Sequence, residues 1–213
     1  MARYSHVAWD FNGTVLDDVS IGITAVNRLL ERRSLRIIES EEAYRELFDF
    51  PVIDYYKRLG FDFDKYPYDE LAIEWVNEYN SLSHLARARE GIEEALARLK
   101  DAGVKQYIVS ASSIDMLKTQ LDSLGLSGYF EKIIGSDNIH AYGKKEATKI
   151  FADSLDKERT VFIGDTVHDY DSAAYAGIDC IFISGGHQSK EKLLTRSNVI
   201  FDSFKEITDI ILR

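Results

Sequence analysis

The sequence predicts an α/β protein with a doubly wound parallel (Rossmann-like) sheet core and an inserted all-helical cap domain. Two observations support this fold class. From residue 105 onward, short apolar segments alternate with amphipathic ones, as in strand–helix–strand units. Between residues 16 and 88 the alternation stops, and only helical patterns remain. We therefore expect a core domain of residues 1–15 and 89–213, interrupted by a cap domain of residues 16–88.

Six apolar segments are the predicted strands of the sheet. They are rich in Val, Ile, Phe and Tyr and apolar on both faces, which is typical of parallel strands covered by helices on both sides. In chain order they are residues 6–11, 105–112, 132–135, 160–165, 180–184 and 198–201. Right-handed crossovers bring the carboxyl ends of such strands to one edge, where ligands of these sheets bind.

Amphipathic segments separate these strands and fill the predicted cap. Residues 90–103 show the pattern well, with acidic residues early, Lys100 late and Gly103 as a stop. The other predicted helices are residues 19–33, 40–50, 52–60 and 69–82 in the cap and 112–126 and 144–155 in the core. Pro51 and Pro67 fall between cap helices, and we expect no strand in the cap.

Composition narrows the function classes. The 213 residues include 26 basic and 36 acidic side chains, a net charge of −10, so an extended nucleic-acid-binding surface is not expected. The chain shows no charged-then-apolar leader and no apolar run near the roughly 18 residues of a membrane span, so we expect a cytoplasmic protein without membrane association. Cys180 is the only cysteine; we expect a buried, inert thiol on a strand.

Acidic residues follow two of the predicted strands. Asp10 ends the first strand, and Gly13 allows a tight turn that would leave backbone N–H groups facing an anion. Asp165 ends a later strand, with Asp169 four residues on. Carboxylates at two strand ends suit Mg²⁺, which binds through a few carboxylates together with substrate phosphate. Asp171, by contrast, is expected only to cap the following helix.

Two further segments point to an anion at the same edge. Ser110 ends a third strand, and its hydroxyl together with N–H groups of the following helix would make an anion site, whereas Ser112 and Ser113 are equally explained as helix caps. Lys144 and Lys145 stand at a helix start, which cations disfavour unless an anion is bound there. Adjacent lysines point in different directions on a helix, so only one of them can face the site.

In order, these motifs are Asp-x-Asn-Gly-Thr, a strand-ending Ser, a Lys, and Gly-Asp-Thr-x-x-Asp. The series resembles the haloacid dehalogenase (HAD) superfamily, and its phosphoglycolate-phosphatase-like members in particular, across essentially the whole chain. The helical insert is similar to the type 1 cap of that superfamily. Lys144 directly follows Gly143 and is taken as the family lysine. Lys145 occupies a position where relatives usually carry Pro and is kept as the alternate.

The resemblance implies a Mg²⁺-dependent phosphomonoester hydrolase acting on a small phosphorylated metabolite, as a monomer or homodimer. Asp10 would be the nucleophile that forms an aspartyl-phosphate, and Lys144 would offset its charge. The implied catalytic residues are Asp10, Asn12, Ser110 and Lys144, and the implied phosphate-binding residues are Gly13, Thr14, Ser110, Ala111 and Lys144. The implied Mg²⁺ ligands are Asp10, the backbone carbonyl of Asn12 and Asp165, with Asp169 supporting through water or hydrogen bonds.

Asn12 departs from the family pattern, in which most phosphatases carry a second Asp. Asn12 still offers its backbone carbonyl to a metal ion, but its side-chain amide cannot give or take a proton at neutral pH. General acid–base catalysis typically raises a reaction rate by about 10²–10⁴-fold. Three outcomes stay open. The chain is a slow phosphatase in which His140, His168, His187 or the substrate moves the proton; a phosphotransferase or mutase that exploits slow hydrolysis; or a phospho-ligand-binding protein with weak catalysis.

Other chemistries of the superfamily fit less well. A phosphonatase carries a small Ala at the position of Asn12 and a lysine in its cap that forms a Schiff base. A dehalogenase favours an aromatic residue at the position of Asn12. The cap segment 48–63 is dense in aromatic residues, which we expect to form the cap core. Arg45, Lys57 and Arg58 either meet an anionic substrate or lie on solvated faces.

Overall fold

A computed structural model describes residues 2–136 and 143–213. Its main sheet has six strands, and every neighbouring pair is parallel. In order across the sheet they are β5 (Lys132–Ser136), β4 (Lys105–Ser113), β1 (His6–Trp9), β6 (Thr160–Gly164), β7 (Asp179–Ile183) and β8 (Ile200–Phe201). The central strand β1 therefore lies between β4 and β6, and the three carboxyl ends lie side by side.

Both faces of this sheet are buried. On β1, Val7 and Trp9 pack into the hydrophobic cluster on one face, and Ala8 packs into the cluster on the other. Every residue of β6 is buried. Strands covered on both sides need no polar alternation, which is why these segments are apolar throughout. The predicted α/β fold class is confirmed.

Six α-helices accompany the sheet in the described part of the core. They are α5 (Ile92–Asp101), α6 (Ile114–Ser123), α7 (Lys144–Asp153), α8 (Val167–Ala176), α9 (Lys190–Leu194) and α10 (Phe204–Ile211). The last two were not predicted. Ser203 caps α10, and Ile207 and Ile211 bury its apolar face against the sheet cluster that contains Trp9.

The inserted segment contributes four helices. They are α1 (Val19–Arg32), α2 (Glu41–Leu47), α3 (Val52–Arg58) and α4 (Tyr68–Leu82). They enclose a hydrophobic cluster of their own, which includes Leu29, Leu30 and Leu71. Trp75 packs against both this cluster and the sheet cluster, so it joins the cap to the core.

A short ribbon corrects the expectation of an all-helical insert. Strands β2 (Leu16–Asp17) and β3 (Arg87–Ala88) pair antiparallel and form a second, two-stranded sheet. Two residues per strand carry no readable periodicity, so the sequence pattern could not reveal them. Their pairing holds the chain entering the cap beside the chain leaving it. The exact boundaries of the cap, residues 16–88, stay a prediction.

Cys180 lies on β7 and is half-buried. Burial raises the pKa of its thiol, so the reactive thiolate is disfavoured. Among the helices of the described residues, none combines the length and apolar character that a bilayer span requires.

Candidate active site

Three neighbouring strands bring the predicted site residues together. Asp10 directly follows β1, and its backbone N–H continues the ladder by donating to the carbonyl of Ile163 at 2.8 Å. Asp165 directly follows β6, and Ser110 lies within β4. All three side chains are buried: Asp165 is fully enclosed, and Asp10 retains 6% exposure. The parallel topology explains why residues so distant in sequence meet here.

Lys144 is the lysine that reaches these carboxylates. It stands at the first position of α7, and its Nζ donates to Oδ1 of Asp10 and Oδ1 of Asp169, each at 2.5 Å. Burial alone would lower the pKa of this ammonium, but Asp10 and Asp169 outweigh burial and raise the pKa. Lys145 is partly exposed and borders a separate cavity beside Pro51.

Asp169 is held by the start of α8. Its Oδ2 accepts from the backbone N–H groups of Asp165 (3.1 Å) and Thr166 (2.9 Å) and from the Thr166 hydroxyl (2.8 Å), which forms a capping box. Its other oxygen faces Lys144. Asp171 lies inside the helix and pairs with Arg196 at 3.0 Å, so the prediction that Asp171 caps the helix is wrong.

Both oxygens of Asp165 are also hydrogen-bonded. The Thr14 hydroxyl donates to Oδ1 at 2.7 Å, and the His187 backbone N–H donates to Oδ2 at 2.6 Å. The Gly13 N–H donates to a different carboxylate, that of Asp18, at 2.8 Å. Gly13 and Thr14, both predicted to bind phosphate, are therefore engaged by carboxylates of the protein itself.

The acidic cluster fits a hard divalent cation. Carboxylate oxygens of Asp10, Asp165 and Asp169 lie within 4.8 Å of one another. Burial, together with repulsion from Asp169, raises the pKa of Asp10 well above its usual range. Burial likewise raises the pKa of Asp165. Lys144 is the one ammonium that the described residues bring to this cluster, so a cation with oxygen preference would balance the remaining charge.

Both the nitrogen and the oxygen of the Asn12 side-chain amide are hydrogen-bonded. Its Nδ2 donates to Oδ2 of Asp18 at 2.7 Å and to the Tyr79 hydroxyl at 2.9 Å, and its Oδ1 accepts from the Ser112 hydroxyl at 2.8 Å. Asp18 also accepts from Tyr79 at 2.8 Å. The amide is thus fixed by three partners, none of which was predicted.

Asp18 and His187 form a buried ion pair beside this amide. His187 Nε2 lies 3.2 Å from Asp18 Oδ1, and His187 Nδ1 lies 2.8 Å from the hydroxyl of Tyr44 in the cap. Burial disfavours the imidazolium, but Asp18 outweighs burial and raises the pKa of His187 to about 9. For Asp18, burial favours the neutral acid, yet the charge of His187 and the hydrogen bonds lower its pKa overall.

Comparison with known proteins decides the family. The model of the haloacid dehalogenase-like hydrolases matches residues 7–183. The chain belongs to the haloacid dehalogenase-like hydrolase family. The phosphoglycolate phosphatase of Caulobacter vibrioides is 28% identical over 211 residues, covering 94% of this chain and 88% of that protein. The family resemblance inferred from the motifs is confirmed.

Solved structures share the family fold at lower identity. A haloacid dehalogenase-like family hydrolase from Streptococcus pneumoniae superposes with a TM-score of 0.83 at 20% identity, covering 98% of this chain and 99% of that one. Protein Tyrosine Kinase A of Mycobacterium tuberculosis superposes with a TM-score of 0.80 at 21% identity, covering 98% of each chain. At these identities the likeness shows the fold alone.

The other predicted proton carriers differ from His187. His168 is stacked on Phe50 with ring centroids 4.5 Å apart, and its Nε2 is buried with no partner among the described residues. Burial, followed by the charge of Lys144, lowers the pKa of His168 to about 4, so this ring is neutral at pH 7. His140, the third candidate, lies outside the described residues.

A cavity of about 570 Å³ leads from Asp10 and Lys144 into the space between core and cap. Its volume falls in the usual range of small-molecule sites. Ser110, Ala111 and Asn12 line its core end. In this family member Asp10 therefore borders a space large enough for a whole substrate.

Proposed function

We propose that this chain is a Mg²⁺-dependent phosphomonoester hydrolase that acts on a small phosphorylated metabolite through an aspartyl-phosphate. The observation that carries the proposal is the buried Asp10 carboxylate, which borders the cavity and is hydrogen-bonded to Lys144 at 2.5 Å. The relationship to phosphoglycolate phosphatase over nearly the whole chain supports phosphoester chemistry.

Asp10, Asp165 and the backbone carbonyl of Asn12 are the proposed Mg²⁺ ligands, and Asp169 supports them through hydrogen bonds. When bound, the cation supplies positive charge against the phosphoryl group. Lys144 adds a second positive charge beside the nucleophile, and Ser110 and Ala111 contact the phosphoryl oxygens. Phosphoryl transfer asks mainly for such positioning and charge neutralisation.

The proposed reaction has two halves. A carboxylate oxygen of Asp10 attacks phosphorus while the bond from phosphorus to the ester oxygen breaks, and the alcohol leaves with that electron pair. The amide of Asn12 has no acidic proton to give, so the leaving oxygen takes a proton from water. A water molecule then attacks the phosphorus of the aspartyl-phosphate and loses its proton to solvent. The bond from phosphorus to the Asp10 oxygen breaks, so phosphate leaves and the electron pair restores the Asp10 carboxylate.

The experiment that tests this proposal measures phosphate release with and without Mg²⁺. We expect wild type to turn over with Mg²⁺ and to stop when EDTA is added, because the acidic cluster then lacks its balancing charge. Asp10→Asn keeps the shape of the nucleophile and removes its charge, so turnover should fall by about 10³-fold or more. Asp101→Asn, which changes an exposed carboxylate at the end of α5, is the matched control.

Phosphoryl transfer is the second candidate, and the hydrogen bonds of Asn12 favour it. Because the amide is held by Asp18, Tyr79 and Ser112, no side chain at position 12 activates water against the aspartyl-phosphate. An acceptor alcohol added to the assay would then raise turnover and carry away phosphate. Hydrolysis unaffected by acceptors argues against this candidate; ligand binding without phosphate release, in wild type, argues against both.

A further inference from the structure

The cavity next to Asp10 has an aromatic wall that the proposed reaction does not use. Cap residues supply it: Phe48, Phe50, Tyr55, Tyr56 and Trp75 all border the cavity. The first four rings form a chain of contacts, with centroids 5.4 Å apart for Phe48 and Phe50, 5.3 Å apart for Phe48 and Tyr55, and 5.7 Å apart for Tyr55 and Tyr56. The aromatic residues of segment 48–63 were expected to form the cap core, and the structure places four of them, together with Trp75, at the cavity surface.

The same wall offers no unpaired cation to a second anionic group. Among the described lining residues the cations are Lys144 and His187, and each already contacts a carboxylate. The cap cations considered earlier lie elsewhere: Arg45 bonds to Glu41 and the Gly186 carbonyl, and Lys57 pairs with Asp54. A substrate carboxylate or second phosphate would therefore lack an unpaired cation among the described lining residues.

Two buried polar atoms of residues that line the cavity, one from the cap wall and one from α6 of the core, are unpartnered among the described residues. They are the hydroxyl of Tyr55 and Oε1 of Gln120, and both residues line the cavity. Buried polar atoms are normally hydrogen-bonded, so unpaired ones in a cavity indicate a ligand group that satisfies them. Oε1 of Gln120 is a hydrogen-bond acceptor, so an O–H or N–H group on the ligand would satisfy it.

Asn12 restricts the leaving group independently. Without an acid at position 12, an ester whose alcohol is a weak acid leaves slowly, whereas a phenol leaves readily as its anion. Resting on the proposed phosphatase function, we infer that the substrate is the phosphate monoester of a phenol-type aromatic alcohol whose ring system carries a hydrogen-bond donor. The bond from phosphorus to the phenolic oxygen breaks as Asp10 bonds to phosphorus, and water protonates the phenoxide.

A panel of four esters tests the substrate class on the wild-type protein. Phenyl and 1-naphthyl phosphate share a phenolic leaving group and differ in ring size, 2-phenylethyl phosphate is aromatic with an alkyl leaving group, and phosphoglycolate is small and carboxylated. We expect 1-naphthyl phosphate to have a KM about tenfold below that of phenyl phosphate, because more apolar surface is buried. We expect kcat for 2-phenylethyl phosphate to be about 10²-fold or more below that for phenyl phosphate.

A pair of variants on α4 tests the wall itself. Val76 borders the cavity, whereas Ile73 on the same helix is 50% exposed and does not. Val76→Trp narrows the cavity, so we expect it to raise the KM for 1-naphthyl phosphate about tenfold relative to that for phenyl phosphate. Ile73→Trp should leave this ratio unchanged. Circular dichroism checks that both variants fold. The panel of esters on the wild-type protein tests the substrate class even if a variant does not fold.

The outcomes separate the substrate class from the reaction. If phosphate is released in an Asp10-dependent way but phosphoglycolate is the best substrate, the aromatic class is overturned and the phosphatase function stands. Equal KM values for phenyl and 1-naphthyl phosphate in wild type also overturn the aromatic class. If no ester of the panel releases phosphate, the proposed function fails, and the substrate class falls with it.

Discussion

Asn12 and Asp18 share a hydrogen bond of 2.7 Å, and Asp18 is only 1% exposed. Position 12 holds the amide and position 18 the carboxylate, so the pair carries one negative charge, which His187 balances. At the scale of single residues, the identity of position 12 is therefore coupled to that of position 18. Substituting either one alone changes the charge of a closed network.

We expect Asn12→Asp alone to destabilise the fold by about 1–3 kcal/mol, because two carboxylates in contact cannot both stay ionised. The exchange variant, Asn12→Asp with Asp18→Asn, keeps one amide and one carboxylate. It should recover most of that stability and raise kcat for 2-phenylethyl phosphate by about 10²-fold, since position 12 can then protonate the leaving group. Urea unfolding measures the stability and steady-state kinetics measures kcat. An Asn12→Asp variant as stable as wild type would contradict the coupling.

The His187–Asp18 pair also predicts how stability depends on pH. The pKa of His187 is about 9 in the folded protein and near 6.5 when unfolded, so its contribution is fully present below pH 6.5 and is lost as pH rises through 9. The loss is on the order of 3 kcal/mol for a fully buried pair.

The measurement is the free energy of unfolding of wild type minus that of His187→Gln, taken from pH 6 to pH 10 by urea titration. This difference should shrink as pH rises, because the variant lacks the titrating imidazole that balances Asp18, and groups not in contact with this pair cancel. A difference that stays flat, or grows, across this range rules out the ion pair as a source of stability.

At the scale of elements, the start of α8 depends on a close approach to β6. An ideal Cβ on Gly164, the last residue of β6, would overlap the carboxylate of Asp169 in the first turn of the helix. Because that carboxylate also caps the helix and faces Lys144, neither strand nor helix can move away without breaking these bonds.

Gly164→Ala should therefore cost about 1–3 kcal/mol of folding free energy, as overpacking of a core does. Gly128 provides the matched control, since it has ordinary backbone angles and no atom lies within 4 Å of an added Cβ. Gly128→Ala should be close to neutral. Thermal or urea unfolding of the two variants compares them directly, and equal stability would show that β6 and α8 separate freely.

Elements long enough to show a period were predictable. The sequence analysis placed the strands that begin at residues 6, 105 and 160, and the cap helices, to within a few residues. Burial of one or both faces requires apolar residues at regular positions, and this periodicity can be recognised in the sequence. The ribbon of β2 and β3 was not predicted, since strands of two residues are too short to show a periodic pattern. Short α9 was missed for the same reason, and α10 was missed although Ser203 and its apolar face offered a signal.

The candidate site was predictable only where it follows from the sheet. Asp10, Ser110 and Asp165 meet because β4, β1 and β6 are neighbours, and strand ends can be recognised in a sequence. The choice between Lys144 and Lys145 required the tertiary structure. The contacts of His187 with Asp18 and Tyr44 span 169 and 143 positions and follow no local rule, so no pattern pointed to them.

At the scale of the whole molecule, the core carries an electrostatic conflict that a divalent cation would relieve. Burial raises the pKa of Asp10 and of Asp165, which means that the folded protein disfavours the charges that its proposed chemistry requires. A ligand that binds the folded chain alone stabilises it by mass action. Metal binding and global stability should therefore be linked.

We expect Mg²⁺ at about 100 times its dissociation constant to stabilise wild type by about 2.7 kcal/mol, a rise in Tm of roughly 5–10 °C for a chain of this size. Asp165→Asn should abolish this rise and, without metal, should be no less stable than wild type, because it removes one of the crowded charges. Asp101→Asn should keep the full rise. Differential scanning calorimetry with Mg²⁺ and with EDTA measures each shift. A rise that survives in Asp165→Asn would place the cation outside the cluster of Asp10, Asp165 and Asp169, because a buried site that loses a carboxylate ligand cannot hold Mg²⁺ equally well.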